Sequence, residues 1–355
     1  MAKILILDSW SGLGVGQKVA FDIVNNLKSH FDFFYLAPRG PYFDFYQEGG
    51  IKTFELKKTN FISTFFRVRR FLKEHKPDLV HVHGTRAAAW LRFATFGFLK
   101  RPKIIYTLHG FHLPKNKQPF KFLLLYTERL LNVFVDSVVC VSEHDREAVL
   151  WNRVVSQNKI SVIPNGVNVR EWRSNTKDVI SLRDKYQIQN SVVFCVICRL
   201  HAPKDVETIL KAFEKIWLED NSVHLFVVGD GPLREGLESF AQTLSSKKQI
   251  HFEGYQSNNK PYYGLADVFL LSSEWEGLPI VVLEAGASRK PIIVSDYDGS
   301  GEVVQNGKTG LLFEFGFAQD LAQKMKELRD SEELRQRIGQ EAFRFVLEKY
   351  DTKQM

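Results

Sequence analysis

The chain has 355 residues, 44% of them hydrophobic, which is too many for one ordinary core and enough for two domains of about 150 to 180 residues each. No run of about 18 uncharged apolar residues occurs, and the short apolar run after Met1 ends at Asp8, so a membrane-spanning helix and a secretory leader are set aside and a soluble, cytoplasmic protein is expected. The net charge of +7 is unevenly spread: residues 1–175 hold 26 Lys and Arg against 14 Asp and Glu, while residues 176–355 hold 22 against 27. The basic half calls for an anionic partner, whether nucleic acid, phospholipid headgroups or an acidic acceptor.

The run Lys3–Asp8 reads as a buried strand, followed by the glycine loop Ser9–Gly16 and a helical pattern over Gln17–Leu27. Strand, glycine loop and helix make a phosphate-cradle order, although Gly12, Gly14 and Gly16 form neither G-x-G-x-x-G nor a P-loop. Strands are predicted at Phe33–Ala37, Thr53–Leu56, Asp78–His83, Lys103–His109, Ser137–Ser142 and Lys159–Pro164, with helical patterns between most of them, the alternation of a parallel, doubly wound sheet. Ligands of such sheets sit beyond the carboxyl ends of the strands. His83, His109 and Asn165 stand at such ends, each followed by glycine, and are candidates to line a cleft, His83 and Asn165 on its acceptor side. Two basic stretches rich in aromatics, Phe61–Lys76 and Lys115–Phe134, the second with Lys117 and Lys121, have two readings. Each either lies on an anionic membrane surface or packs its apolar face on the sheet with its charges in water.

Polar residues cluster over 173–190, which reads as a linker, and a second series of strands follows at Ser191–Ile197, Val223–Val228, Gln249–Phe252, Asp267–Leu271, Pro291–Ser295 and Gly310–Phe313. Two consecutive helices are expected over residues 317–349. Cys140, Cys195 and Cys198 lie in Val-rich strand runs and read as small core hydrophobes; the Cys-x-x-Cys spacing of the last two sits within a strand rather than at a helix start, where a redox pair belongs. No cluster of His and Cys has metal-ligand spacing.

Three strand ends of the second half carry special residues. After its first strand come Arg199 and Lys204, after its second the turn Val228-Gly229-Asp230-Gly231-Pro232, and after its fourth the stretch from Ser272 to Lys290. In that last stretch Gly277 lets a ligand approach the backbone, Pro279 suits a first helical turn, and Glu276 and Glu284 flank an apolar run. Alone it reads equally as a structural turn or an anion site. Beside two cations and a glycine turn at one sheet edge, it suits a diphosphate with vicinal hydroxyls.

These motifs resemble the retaining glycosyltransferases of the GT-B fold, family 4, which share the glycosyl transferases group 1 domain. The resemblance is carried by R-L-x-x-x-K at Arg199–Lys204, VGDGPLRE at 228–235, FEGY at 252–255, ADVFLLSSEWEGLPIVVLEAGA at 266–287, KPIIVSD at 290–296, GEVV at 301–304 and NGKTGLL at 306–312. In the first half it is thinner, carried by the glycine loop, DLVHVHG, TLHG, CVSE and IPNGV. It implies two Rossmann-like doubly wound parallel-sheet domains facing a central cleft: residues 1–172 for the acceptor and residues 191–345 for a nucleotide-sugar donor, a UDP-sugar being favoured. Residues 346–355 would be a tail or the start of a crossover helix.

By the same resemblance Arg199 and Lys204 hold the diphosphate, Glu276 lies near the donor sugar's hydroxyls, Glu284 binds the ribose, and His109 lies near the reacting sugar. Gly277, Leu278, Pro279, Ile280, Val281, Tyr255, Gly229, Gly14 and Gly16 line the donor. No cofactor, no metal and no nucleic acid are implied; the acceptor is a saccharide or a lipid-linked sugar. The chain departs from the family pattern at Cys198 and Asp205, where glycine is usual, and it lacks the common Gly-Gly pair of the first loop. Two other readings are an epimerase of sugar nucleotides on the same scaffold and a non-catalytic sugar-nucleotide or nucleic-acid binder.

Overall fold

The computed structural model describes residues 1–57, 60–111, 121–172, 176–297 and 299–354, without the side chains of 121–124. It divides into two units, Met1–Pro164 and Asn165–Met355. The first contains β1 (Lys3–Asp8), α1 (Val15–Leu27), β2 (Asp32–Ala37), α2 (Pro41–Glu48), β3 (Lys52–Glu55), α3 (Phe61–His75), β4 (Leu79–His83), α4 (Thr85–Thr95), β5 (Lys103–Leu108), α5 (Lys121–Asn132), β6 (Ser137–Cys140), α6 (Glu143–Trp151) and β7 (Ile160–Val162). Its seven strands are parallel in the order β3-β2-β1-β4-β5-β6-β7. One face buries Val68, Phe71, Leu91 and Val149 from α3, α4 and α6, while Ala20, Val24, Phe43 and Tyr46 of α1 and α2 pack on the other.

The second unit contains α7 (Thr176–Tyr186), β8 (Val193–Ile197), α8 (Val206–Glu219), β9 (His224–Val228), α9 (Arg234–Gln242), β10 (Ile250–Gly254), α10 (Lys260–Leu265), β11 (Val268–Leu271), α11 (Ile280–Ala287), β12 (Ile292–Asp296), α12 (Ser300–Val303), β13 (Leu311–Glu314), α13 (Ala318–Asp330) and α14 (Glu332–Lys349). Its six strands, also parallel, run β10-β9-β8-β11-β12-β13. β8 and β11 are buried along their whole length, which is why they read as unbroken apolar runs rather than alternating ones. Strand order reverses between β1 and β4 in the first sheet and between β8 and β11 in the second, and a switch point of this kind opens a crevice at the carboxyl ends.

Every predicted strand is present, with ends shifted by up to a few residues. The expected linker is corrected, since residues 176–186 form α7 in the second unit and the units part at Pro164 rather than beyond 172. α7 has no fully buried residue, so it carries no clear 3.6-residue apolar period to announce it. The tail does not leave the second unit. Val167 N–H donates to Tyr350 O (2.8 Å) and Thr352 N–H to Val167 O (3.1 Å), so residues 350–352 run beside the segment that opens the unit. Lys117 of the second basic stretch lies outside the described residues.

Candidate functional site

The second unit's site is built at its switch point. The chain leaving β8 turns through Cys198–His201 and a short 3-10 turn, Ala202–Lys204, before Asp205 starts α8. Asp205 is left-handed (φ 38°, ψ 51°), a conformation that costs glycine least, which gives the physical reason for glycine being usual there. Here an aspartate tolerates it and caps α8 by accepting from Thr208 N–H (3.4 Å). The loop is fastened to β11's loop by Glu274 N–H donating to Pro203 O (2.8 Å).

Lys204 forms an ion pair with Glu276 Oε1, both side chains about one-seventh exposed, and Ser273 Oγ donates to the same oxygen (2.7 Å). Ser273 is itself held by Ser295, whose hydroxyl accepts from Ser273 N–H (2.8 Å) and donates to Ser273 O (2.6 Å). Arg199 is exposed and makes no ion pair with a described residue. One paired cation and one cation without an ion pair among the described residues therefore stand on the loop, with a carboxylate whose Oε1 is held by two donors.

Pro279 occupies the N-cap position of α11 rather than its first turn, and Ile280 and Val281 follow as the first helical residues. N–H groups at these positions have no acceptor within the helix, and with Gly277 and Leu278 before them they form an anion-suited helix start. Glu284 is buried one turn further on and accepts from Tyr263 Oη (2.8 Å), a hydroxyl that also reaches Val281 O (3.2 Å). Burial, together with the Glu284 carboxylate, raises the Tyr263 phenol well above its ordinary range and keeps it a donor.

Ser273 and Tyr263 are not legible as site residues in the sequence. Ser273 is one serine of a pair, and Tyr263 is far from Glu284 along the chain. Tyr255, just after β10, is half exposed.

One expectation is corrected here, and Gly229 gains a packing reason beside its expected role. Asn165, read as an acceptor-side residue of the first domain, belongs to the second unit, where its buried Nδ2 donates to Leu278 O (3.0 Å). It therefore supports the loop that opens α11; its Oδ1 is buried without a partner. Gly229, read as a donor contact, is also required by packing. At φ 136° any Cβ there would overlap the carbonyl of Cys198, and a Cβ on Gly231 would overlap that of Leu200. The two loops lie backbone on backbone, joined by Leu200 N–H to Asp230 O (3.0 Å) and Leu233 N–H to Leu200 O (3.1 Å). Cys195 and Cys198 are free and buried, and burial pushes the Cys198 thiol up to about 12, which is unfit for redox exchange.

In the first unit the switch point carries neutral groups. Register places Asp8 beside His83, and Asp8 is fully buried; burial, partly offset by hydrogen bonds from Tyr35 and Gln17, pushes its carboxyl up to about 7. His83 Nδ1 and His109 Nε2 lie 2.9 Å apart, and His81 Nε2 is 2.7 Å from Thr107 Oγ1. Burial lowers His81 and His109 to about 4 and His83 well below its usual value, so all three are uncharged at neutral pH. Gly14 caps α1 without a side-chain bond, and a Cβ there would press on Trp10 and Gln17; a Cβ on Gly16 would press on the His109 ring. Among the described residues no three His, Cys, Asp or Glu side chains gather as a metal-ligand set.

With these loops in place, the chain can be set beside known proteins. The description "Glycosyl transferases group 1" matches residues 178–345, and "Glycosyltransferase Family 4" matches residues 16–171. The chain is 30% identical over 296 residues to the Escherichia coli O-antigen biosynthesis glycosyltransferase WbnH, covering 83% of this chain and 80% of that protein. The chain belongs to the glycosyl transferases group 1 family.

A second relative at 30% identity is the E. coli UDP-Gal:alpha-D-GlcNAc-diphosphoundecaprenol alpha-1,3-galactosyltransferase, where the match spans 69% of this chain and 64% of that protein, just under two thirds of its length. The crystal structure of Anabaena HepE in complex with UDP and glucose superimposes with a TM-score of 0.89 at 19% identity, covering 100% of this chain and 97% of that one. That likeness establishes the GT-B fold. The group 1 motifs fall on the loops just described: R-L-x-x-x-K on the β8 loop, and the two glutamates before and inside α11.

Proposed function

We propose that the chain is a retaining, metal-independent glycosyltransferase that moves a sugar from a nucleotide-diphosphate sugar, a UDP-sugar being favoured, to a lipid-linked or saccharide acceptor in cell-surface polysaccharide or lipopolysaccharide synthesis. The observation that carries this reading is the Lys204–Glu276–Ser273 group at the start of α11, with Arg199 on the same loop as Lys204. Cleaving the sugar–phosphate bond develops negative charge on the outer phosphate, and preorganised cations plus a helix start stabilise that charge. Glu276 then has a double duty: it holds Lys204 in place and leaves Oε2 for the donor sugar's hydroxyls. Glu284, fixed by Tyr263, meets the ribose. No carboxylate has to act as nucleophile, and the departing phosphate takes the acceptor's proton on the same face.

The relatives named above support the donor and the acceptor class. One carries UDP-Gal and a diphosphoundecaprenol acceptor in its name, and HepE was crystallised with UDP and glucose. α3 supports a place at the inner face of a membrane. It buries Val68, Phe71 and Leu72 against the sheet, yet leaves Phe61, Ile62 and Phe66 exposed beside Arg67 and Arg70. No described helix is long and apolar enough to cross a bilayer, so contact would be through this surface.

Thermal-shift screening against UDP-, GDP- and ADP-sugars tests the donor, because a ligand that binds the folded state raises the melting temperature by mass action. Release of nucleoside diphosphate only in the presence of an acceptor tests transfer; conversion of the donor to an epimeric nucleotide sugar with no net release of nucleoside diphosphate would favour the epimerase reading. Co-sedimentation with anionic vesicles at low salt tests the membrane contact.

A further inference from the structure

His83 has no place in the transfer reading, yet its surroundings give it one. β4 and β5 are hydrogen-bonded neighbours, so His83, the last residue of β4, and His109, the first after β5, emerge side by side. Their rings lie nearly parallel, with centroids 5.2 Å apart and 17° between planes. His83 Nδ1 and His109 Nε2 meet at 2.9 Å, while the outer nitrogens, His83 Nε2 and His109 Nδ1, are buried with no partner among the described residues. Buried polar atoms left unpaired are rare, and a pair on two touching rings calls for an explanation.

Between two neutral imidazoles there is one proton to share. Either His83 Nδ1–H donates and His109 keeps its own proton on Nδ1, or His109 Nε2–H donates and His109 Nδ1 is a bare acceptor. α1 distinguishes the two. A Cβ built on Gly16 would lie 2.9 Å from Cδ2 and 3.1 Å from Nε2 of His109, so the Nε2 edge of the ring rests on the first turn of α1. That turn has no acidic residue and no side-chain cap, and it presents the positive end of the helix. A lone pair is favoured there over an N–H, which makes His109 Nε2 the acceptor.

We infer that His83 is a positioning residue: its Nδ1–H fixes the orientation of His109 and the tautomer in which His109 Nδ1–H is the free donor. The inference rests on the proposed reading, in which His109 stands beside the transferred sugar. It deepens that reading: the His109 nitrogen left without a partner carries a proton, so His109 serves as a hydrogen-bond donor and does not accept the acceptor's proton.

The test uses the full chain labelled with 15N in histidine, the His109 signals being assigned by their loss in His109→Gln. Multiple-bond 15N–1H spectra near pH 7.5 are expected to show His109 protonated on Nδ1, and a proton on Nε2 in the wild-type chain would overturn the inference. His83→Phe keeps the ring and removes the donor. His83→Asn puts an amide N–H where Nδ1 stood. In the Phe variant the His109 ring is expected to lose its single tautomer, Nε2–H appearing beside Nδ1–H, and kcat to fall between about 10- and 100-fold, the range typical for losing a hydrogen-bonded support of a functional histidine. Affinity for free nucleoside diphosphate, which lacks the sugar, should stay unchanged.

The Asn variant should recover most of kcat, and an Asn variant as slow as the Phe variant would count against the assignment. Nδ1–H in the wild-type chain together with no transfer from any nucleotide sugar would support the His83–His109 arrangement and overturn the transfer reading instead.

Discussion

The two switch points hold their polar chemistry in opposite electrostatic states. In the second unit, Lys204 and Glu276 form an ion pair and Arg199 is exposed on the loop that carries Lys204. In the first, His81, His83, His109 and Asp8 are buried and pushed by desolvation toward their uncharged forms. This inverts the charge balance of the halves, since the first 175 residues carry the positive excess and the remainder a negative one. The excess of the first half belongs to surface helices such as α3, and the two cations suited to a diphosphate sit in the acidic half. Lobe charge thus says what a surface attracts over distance, whereas a site's charge is set by a few residues at strand ends.

The sharpest break in this contrast is Lys204→Ala. If the charged site performs the transfer, kcat/KM should drop roughly 10²- to 10³-fold, the usual loss for one preorganised stabilising group, in an assay of acceptor-dependent nucleoside diphosphate release. Unchanged turnover would remove the second unit's claim. Gly229→Ala separates scaffold from ligand contact on the same loops. The collision with Cys198 predicts a loss of about 3 kcal/mol in urea unfolding, and a variant as stable as the parent but unable to bind donor would restore the ligand role.

Glu284→Ala should weaken donor binding roughly tenfold to a hundredfold by calorimetry, from the loss of a charge-assisted hydrogen bond, with a smaller effect on kcat; equal affinity would contradict its proposed role.

The mildest test addresses the neutral pocket. Burial pushes the Asp8 carboxyl up to about 7 in the folded chain, well above its ordinary value of 3.8, so the folded chain binds the extra proton between these values. Its stabilising contribution is full below about pH 4 and is lost as pH rises toward 7, at up to about 1.4 kcal/mol per pH unit. The buried histidines give the opposite slope between about pH 4 and 6.5, stability rising with pH, but they are common to both proteins. Asp8→Asn should therefore gain stability relative to the parent from pH 4 to 7, and parallel pH profiles would show that Asp8 is ionised throughout.

Much of this was legible in the sequence because strands buried on both faces leave unbroken apolar runs, and because Arg199, Lys204, Glu276 and Glu284 sit at spacings tied to loop and helix starts. What was hidden depends on contacts between distant residues. Nothing near Asn165 announces that its amide holds Leu278 O, and nothing near Tyr263 announces Glu284. Gly229 is ambiguous in sequence because a glycine demanded by a neighbouring carbonyl looks the same as one demanded by a phosphate. α7 was missed for the opposite reason: with no fully buried face, it left no pattern to read.

The pairing of Val167 with Asp351 has a consequence for how the protein is made. On the ribosome the first unit can complete its sheet as soon as β7 emerges, because all its strands precede Pro164. The second unit opens with Asn165 to Val167, whose backbone partners at residues 350–352 are synthesised far later. Its opening segment stays unpaired until residues 350–352 have been made, so a chain stalled in α14 would display a finished first unit and a second one whose opening segment lacks its backbone partners.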